Sequence, residues 1–147
     1  MAQGSATAEK MVAGRQRVDA HVTAFNAGDR EPPRALFTPD ANSRGVPGWV
    51  PVNGAIPIWR ELHENTCMRL EISGVVSDGA TAAALLHETG RFVGAFRGLA
   101  GHEPTGKHYE LLAIEWFAFS GNLIARRWAA RDSGALARQA LDHCQEK

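Results

Sequence analysis

The apolar pattern predicts an α+β domain in which helices come first, a curved antiparallel sheet follows and a last helix closes the chain. Three observations carry this. Met11, Val18, Val22 and Phe25 fall at helical offsets near the N-terminus. From Met68 the period becomes strand-like: Met68, Leu70 and Ile72 alternate with Arg69, Glu71 and Ser73, as in a strand with one wet face. The later strand-like runs are joined by short turns, which favours antiparallel neighbours, and the helices are segregated from them. Helices closing the concave face of such a sheet leave a pocket for a small ligand.

The chain is read as one domain over residues 1–147, with residues 1–6 small, polar and disordered. Thr7 is a suitable N-cap for the first helix, and Asn26-Ala27-Gly28-Asp29 a suitable stop, with Gly28 in the left-handed position. His21 falls at the edge of the buried stripe and is read as a boundary residue. Glu31 to Phe37 reads as a short proline-started helix ended by Thr38-Pro39-Asp40. The segment Asn42–Asn53 reads as an irregular loop or short edge strand carrying Trp49. A helix from Gly54 has Pro57 in its first turn, with Ile58, Trp59 and Leu62 inward and His63 outside.

After the Met68–Val75 strand, Ser77-Asp78-Gly79 is a turn and Thr81–Thr89 the next strand. Gly90 suggests a bulge before Arg91–Phe96, a further strand segment or a continuation. Leu99–Gly106 is a loop. Tyr109–Phe119 and Leu123–Arg131 then form a hairpin around Ser120-Gly121-Asn122, and Ser133–Leu141 is the closing helix.

Composition narrows the function. Sixteen basic and sixteen acidic residues cancel, and no long basic run marks a nucleic-acid or acidic-membrane partner. No apolar run is long enough to span a bilayer and no signal peptide is apparent, so a cytoplasmic location is expected. Cys67 and Cys144 match no metal or redox spacing and are read as thiols. Without a Gly-rich phosphate motif there is no case for a nucleotide.

Within the hairpin, Glu115 shares its side with Leu111, Ala113 and Phe117. A carboxylate in such company pairs with a cation or has a raised pKa. Arg127 on the partner strand, sharing its face with Ala125, Ala129 and Arg131, can be that cation. One reading makes Glu115 a general acid or base positioned by Arg127, with Arg127 stabilising an enolate. The other is a cross-strand ion pair fixing the hairpin's register. His87 closes a strand of small residues and is a further catalytic candidate. Asp132, followed by Ser133, is read as a helix N-cap before a catalyst. His102 and His108 flank a loop and His143 lies near the C-terminus; none of these histidines has defensible metal-ligand spacing. Trp49, Trp59, Phe92, Phe117 and Ala129 are the expected substrate-binding positions. Trp116 and Trp128 have the opposite parity and are expected on an outer sheet face that two copies share.

Ala24-Phe25-Asn26-Ala27-Gly28-Asp29 and Leu36-Phe37-Thr38-Pro39-Asp40 resemble the helical opening of the SnoaL-like polyketide cyclases. Pro104-Thr105-Gly106-Lys107, Glu110 and Gly121-Asn122-Leu123-Ile124 resemble the sheet that follows. Trp128 and Asp132, then Gly134, Leu136 and Gln139, resemble the closing strand and helix. The family belongs to the nuclear transport factor 2-like superfamily, with ketosteroid isomerases and limonene-type epoxide hydrolases. The resemblance implies a cone-shaped α+β barrel, a hydrophobic pocket, dimerisation through the convex sheet face, and an intramolecular aldol closure driven by an aspartate with helper histidines, without metal or cofactor. Laid on the closing motif, Ala129 falls at the catalytic aspartate, and Arg127 and Glu115 at the helper histidines. The expected activity is cyclisation, isomerisation or hydration of a hydrophobic, polyketide-like or polycyclic carbonyl compound. A non-catalytic binding or accessory protein is the alternative. An epoxide hydrolase, needing Asp–Arg–Asp with Arg127 at its centre, is the third.

Overall fold

The computed structural model describes residues 2–28, 34–45 and 48–141, with side chains from Ala8 onward. Its elements are α1 (Ala2–Ala27), β1 (Phe37–Gly45), β2 (Gly48–Pro51), α2 (Val52–Thr66), β3 (Arg69–Ser77), β4 (Thr81–Arg91), β5 (His108–Ser120), β6 (Leu123–Arg131) and α3 (Ser133–Leu141). A 3-10 turn at Arg97–Leu99 lies between β4 and β5. The strands form one curved, unclosed sheet in the order β2-β1-β6-β5-β4-β3. The α+β architecture is the expected one, with one correction: the sheet is mixed. β1 runs parallel to β6, with Phe37 opposite Ile124 and Ser43 opposite Arg127. Most of the chain separates these two strands, so no turn signal marks their pairing.

Several boundaries move. α1 begins at Ala2, where disorder was expected, so Thr7 lies inside the helix and not at its cap. Ala2, Ala6, Ala8 and Glu9 are helix formers that carry the pattern back. Gly28 ends the helix as expected, with φ +72° and its N–H donating to Phe25 O at 3.1 Å. The short helix expected to end at Phe37 is helical only at residues 34–35 among those described, and Phe37 opens β1. The segment expected as a loop or edge strand supplies the end of β1 and the edge strand β2. α2 starts at Val52, which is buried, so Pro57 sits inside the helix and not in its first turn. Asp29, Pro32, Pro33, Val46, Pro47, His143 and Cys144 lie outside the described residues.

Gly90 is not a bulge. It pairs with Tyr109 in unbroken register, and an added Cβ would stand 2.6 Å from the Tyr109 ring and 2.7 Å from Thr66 O. Close packing is what requires glycine there. Beyond Arg91 the chain is irregular through Phe96. The register shifts lie instead between Phe37 and Asn42 in β1, between Ile72 and Gly74 in β3, and near the β5–β6 turn, where Ala125 is the extra residue between Ile124 and Arg126. Ala125 therefore falls out of the alternation that Arg127, Ala129 and Arg131 keep.

Alternation sorts the remaining side chains. Tyr109, Leu111, Ala113, Glu115 and Phe117 of β5 point inward, as do Ala82, Ala84, Leu86 and Glu88 of β4. Val18, Val22 and Phe25 of α1 join that core. Two side-chain amides then complete sheet backbone that lacks a strand partner. Asn26 exchanges two 2.9 Å hydrogen bonds with Leu70 N and O on the edge strand β3. Gln139 does the same with Glu110 at 2.8 Å, on the part of β5 that extends past its pairing with β6. Each amide imitates a neighbouring strand and ties a helix to the sheet.

Candidate functional site

A cavity of about 390 Å³ opens between the helices and the concave face of the sheet. Phe25, Ile58, Trp59, Leu62, Phe96 and Leu136 supply much of its apolar wall, and Glu88, Glu115, Arg127 and Arg131 its polar one. Glu115 and Arg127 both line it, and they pair. Arg127 donates from Nε to Glu115 Oε1 at 3.0 Å and from Nη2 to Oε2 at 2.6 Å. Its Nη1 donates to Ser43 Oγ at 2.9 Å, reaching β1 across the parallel ladder. The Trp59 ring lies 5.0 Å from the guanidinium carbon, a cation–π contact.

Glu115 is 4% exposed and Arg127 7%. Burial pushes the Glu115 pKa up; the Arg127 charge and hydrogen bonds, with His21 alongside, outweigh it and hold the carboxyl down at about 2. Glu115 is therefore a fixed carboxylate. It accepts hydrogen bonds, orients Arg127 and has little basicity of its own. Arg127 remains a charged donor on the wall, suited to a carbonyl or enolate oxygen.

His21, expected at a boundary, is 1% exposed. Its ring stands edge-on to Phe37, Trp59 and Phe117, at centroid distances of 5.5–5.8 Å. Nε2 lies 3.5 Å from Glu115 Oε1, yet among the described residues neither ring nitrogen makes a hydrogen bond. The apolar stripe of α1 turns further inward than its aliphatic positions indicate, and it takes His21 with it.

A second buried pair lies beside the first. Arg131 donates from Nε to Glu88 Oε1 at 2.9 Å and from Nη2 to Oε2, and Tyr109 Oη donates to the same Oε2 at 2.9 Å. Burial works against the Arg131 charge, but hydrogen bonding and attraction from Glu88 raise its pKa. Burial and the Glu88 charge raise that of Tyr109. Sequence reasoning named His87 in this strand and passed over Glu88. The alternation Ala82, Ala84, Leu86, Glu88 was the signal that could have found it.

The other predicted positions divide. Trp59 and Ala129 line the cavity. Phe92 and Phe117 are fully buried in the core and are not among its lining residues. Trp49 is on the outer face, 45% exposed and edge-on to Trp128 at 5.3 Å, with the Arg126 guanidinium carbon 5.3 Å from its ring. His87 also faces outward, 2.9 Å from Glu110 Oε2, because it has the opposite parity to Glu88. Asp132 is exposed outside the cavity, where its carboxylate accepts the Ala135 N–H at 3.0 Å and caps α3. Trp116 and Trp128 are directly opposite one another and point outward. Among the described residues no group of three potential ligands is placed to hold a metal, and no helix is long and apolar enough to cross a membrane.

Comparison with known proteins agrees with this geometry. A candidate polyketide cyclase from Xanthomonas campestris pv. campestris has the same fold, with a TM-score of 0.80 at 18% identity, covering 88% of this chain and 98% of that one. A candidate polyketide cyclase from Pseudomonas putida KT2440 gives 0.73 at 24%, covering 87% and 97%. AclR from Streptomyces galilaeus, described as a candidate hydroxylase, gives 0.75 at 17%, covering 89% and 83%. At these identities the likeness is one of fold. None of the curated proteins matches the sequence. The SnoaL-like domain family matches residues 18–127, from the inward face of α1 to Arg127 itself, and the chain belongs to that family.

Proposed function

We propose that the protein binds a hydrophobic, carbonyl-bearing small molecule in this cavity and rearranges it by cofactor-independent acid/base chemistry, as a cyclisation, isomerisation or hydration. The observation that carries the reading is the position of the buried Glu115–Arg127 pair on the wall of a cavity lined mostly by apolar side chains. Desolvating two charges is costly, and a pair serving only the register of the hairpin could face water at less cost. On the cavity wall, a Glu115 oxygen takes the acidic C–H proton of the substrate, and Arg127 donates a remaining N–H to the carbonyl oxygen and stabilises the enolate that this leaves. Glu115 holds the guanidinium plane in place and accepts a hydrogen bond from an enol or hydroxyl group.

Substrates with acidic C–H groups between carbonyls suit a site in which Glu115 is a weak base. The test is turnover of a polycyclic 1,3-dicarbonyl compound by the wild type and by Glu115→Gln, alongside circular dichroism. Loss of turnover with the fold retained supports the reading; unchanged turnover rejects it.

A binding or accessory protein on the same scaffold is the second reading. It is favoured by Ala129, which lines the cavity with a methyl group at the position matched to the cyclase aspartate, and by the guanidinium grip on both wall carboxylates. An epoxide hydrolase is not supported, because among the described residues no aspartate lines the cavity. The outer face, where Leu112, Ile114 and Trp116 are each about half exposed, is proposed as the surface of a homodimer.

A further inference from the structure

Among the described residues three arginines line the cavity, and each has a carboxylate partner. Arg127 has Glu115 and Arg131 has Glu88. Arg97, at the mouth, has its Nε 3.5 Å from Glu61 Oε2, and the same oxygen accepts the Arg97 backbone N–H at 3.0 Å. The charges therefore cancel pairwise, although hydrogen-bonding capacity remains. A guanidinium carries five N–H donors. Among the described residues Arg127 uses three of them and Arg131 two, which leaves two and three.

The two inner pairs are separated along the wall. Arg127, Ala129 and Arg131 share the inward side of β6, so the two arginines' Cα atoms are about 13 Å apart at ~3.3 Å per residue. Between them Ala129 contributes only a methyl group, and the facing apolar side includes Trp59 and Leu136. Tyr109, itself 3% exposed, donates to the same Glu88 oxygen as Arg131 Nη2, and Gly90 gives Tyr109 the room to do so. Glu88 is thus fixed on its guanidinium.

We infer that the cavity selects an uncharged, flat ligand with an oxygen function at each end, one held by Arg127 and the other by Arg131, and that Glu88 is the specificity residue that excludes anions. The inference rests on the reading that this cavity is the ligand site. A ketone or hydroxyl group loses modest hydration on entry and gains charge-assisted hydrogen bonds from the spare N–H groups. A carboxylate loses far more hydration and meets guanidiniums that are already neutralised, so its desolvation is not offset.

Binding of 2,6-dihydroxynaphthalene and of 6-hydroxy-2-naphthoate is measured by calorimetry at pH 7. The pair shares a ring system and differs in charge. Wild-type protein is expected to bind the diol at least tenfold more tightly. Glu88→Gln frees one guanidinium and is expected to reverse that order. Glu61→Gln, at the exposed mouth pair, is expected to improve hydroxynaphthoate binding by a smaller factor, which gives a second variant should Glu88→Gln fold poorly. Equal or tighter hydroxynaphthoate binding by the wild type, an unchanged ratio in folded Glu88→Gln, or no binding of either compound would overturn the inference. No turnover is measured, so failure of the catalytic reading leaves this result intact.

Discussion

Arg127 and Glu115 meet diagonally: the register sets Phe117 opposite Arg127 and Ala129 opposite Glu115. The guanidinium leans along the sheet to reach the carboxylate with two N–H groups and β1 with a third. Removing one partner leaves the other charged and buried. Arg127→Met should therefore cost ~3–5 kcal/mol. Glu115→Gln combined with Arg127→Met should recover much of that loss. Urea denaturation of both single variants and the double variant gives the coupling; additive effects would contradict the pairing.

The same pair sets an acid limit. Glu115 titrates at about 2 in the folded chain, against an ordinary value of 4.5. Its folded pKa is depressed, so its contribution is complete above the unfolded value and disappears as pH falls from about 4.5 to about 2. The contribution is on the order of 3 kcal/mol. Melting temperature measured across that window should fall less steeply in Glu115→Gln than in the wild type.

His21 gives the opposite kind of prediction. Both its nitrogens are buried without hydrogen bonds, which is unfavourable by ~1–3 kcal/mol. His21→Leu is expected to leave the melting temperature at pH 7 unchanged or raise it, whereas Val18→Ala on the same helix should lower it. A large loss in His21→Leu would show that the 3.5 Å approach of its Nε2 to Glu115 Oε1 outweighs the missing hydrogen bonds.

Gly90→Ala should destabilise by ~1–3 kcal/mol, because the new methyl group collides with Tyr109 and with the Thr66 carbonyl. Displacing Tyr109 also loosens Glu88. Denaturation measures the first effect. The second should appear as weaker discrimination between the diol and the hydroxynaphthoate.

The outer face bears on assembly. Trp116→Lys places a charge among Leu112, Ile114, Leu85 and Trp128 without touching the cavity. Sedimentation should show a dimer for the wild type and a monomer for the variant. A wild-type monomer would refute the proposed dimer surface.

Much of this was legible in the sequence for a physical reason. Period-two alternation is strict in β5 from His108 to Phe117, so the inward side of Glu115 and the outward side of Trp116 could be read directly. The same rule placed Arg127, Ala129 and Arg131 together. It failed where residue type was weighed above parity: His87 drew attention that belonged to Glu88, one residue on and facing the other way. Trp49 was misplaced because β2 is short and sits beyond β1, whose partner could not be inferred. His21 and Ser43 join the site through long-range packing, to which local periodicity is blind.

The parallel seam between β1 and β6 has a consequence for how the protein is made. Ser43 emerges from the ribosome before Arg127, which follows it 84 positions later. Until β6 is synthesised, β1–β2 has no sheet to join and β3–β5 has an open edge. At ~5–20 residues per second, the nascent chain spends several seconds in that divided state. Closing so distant a contact also slows folding. The cavity therefore forms in one late step, when the last strand enters between two waiting halves.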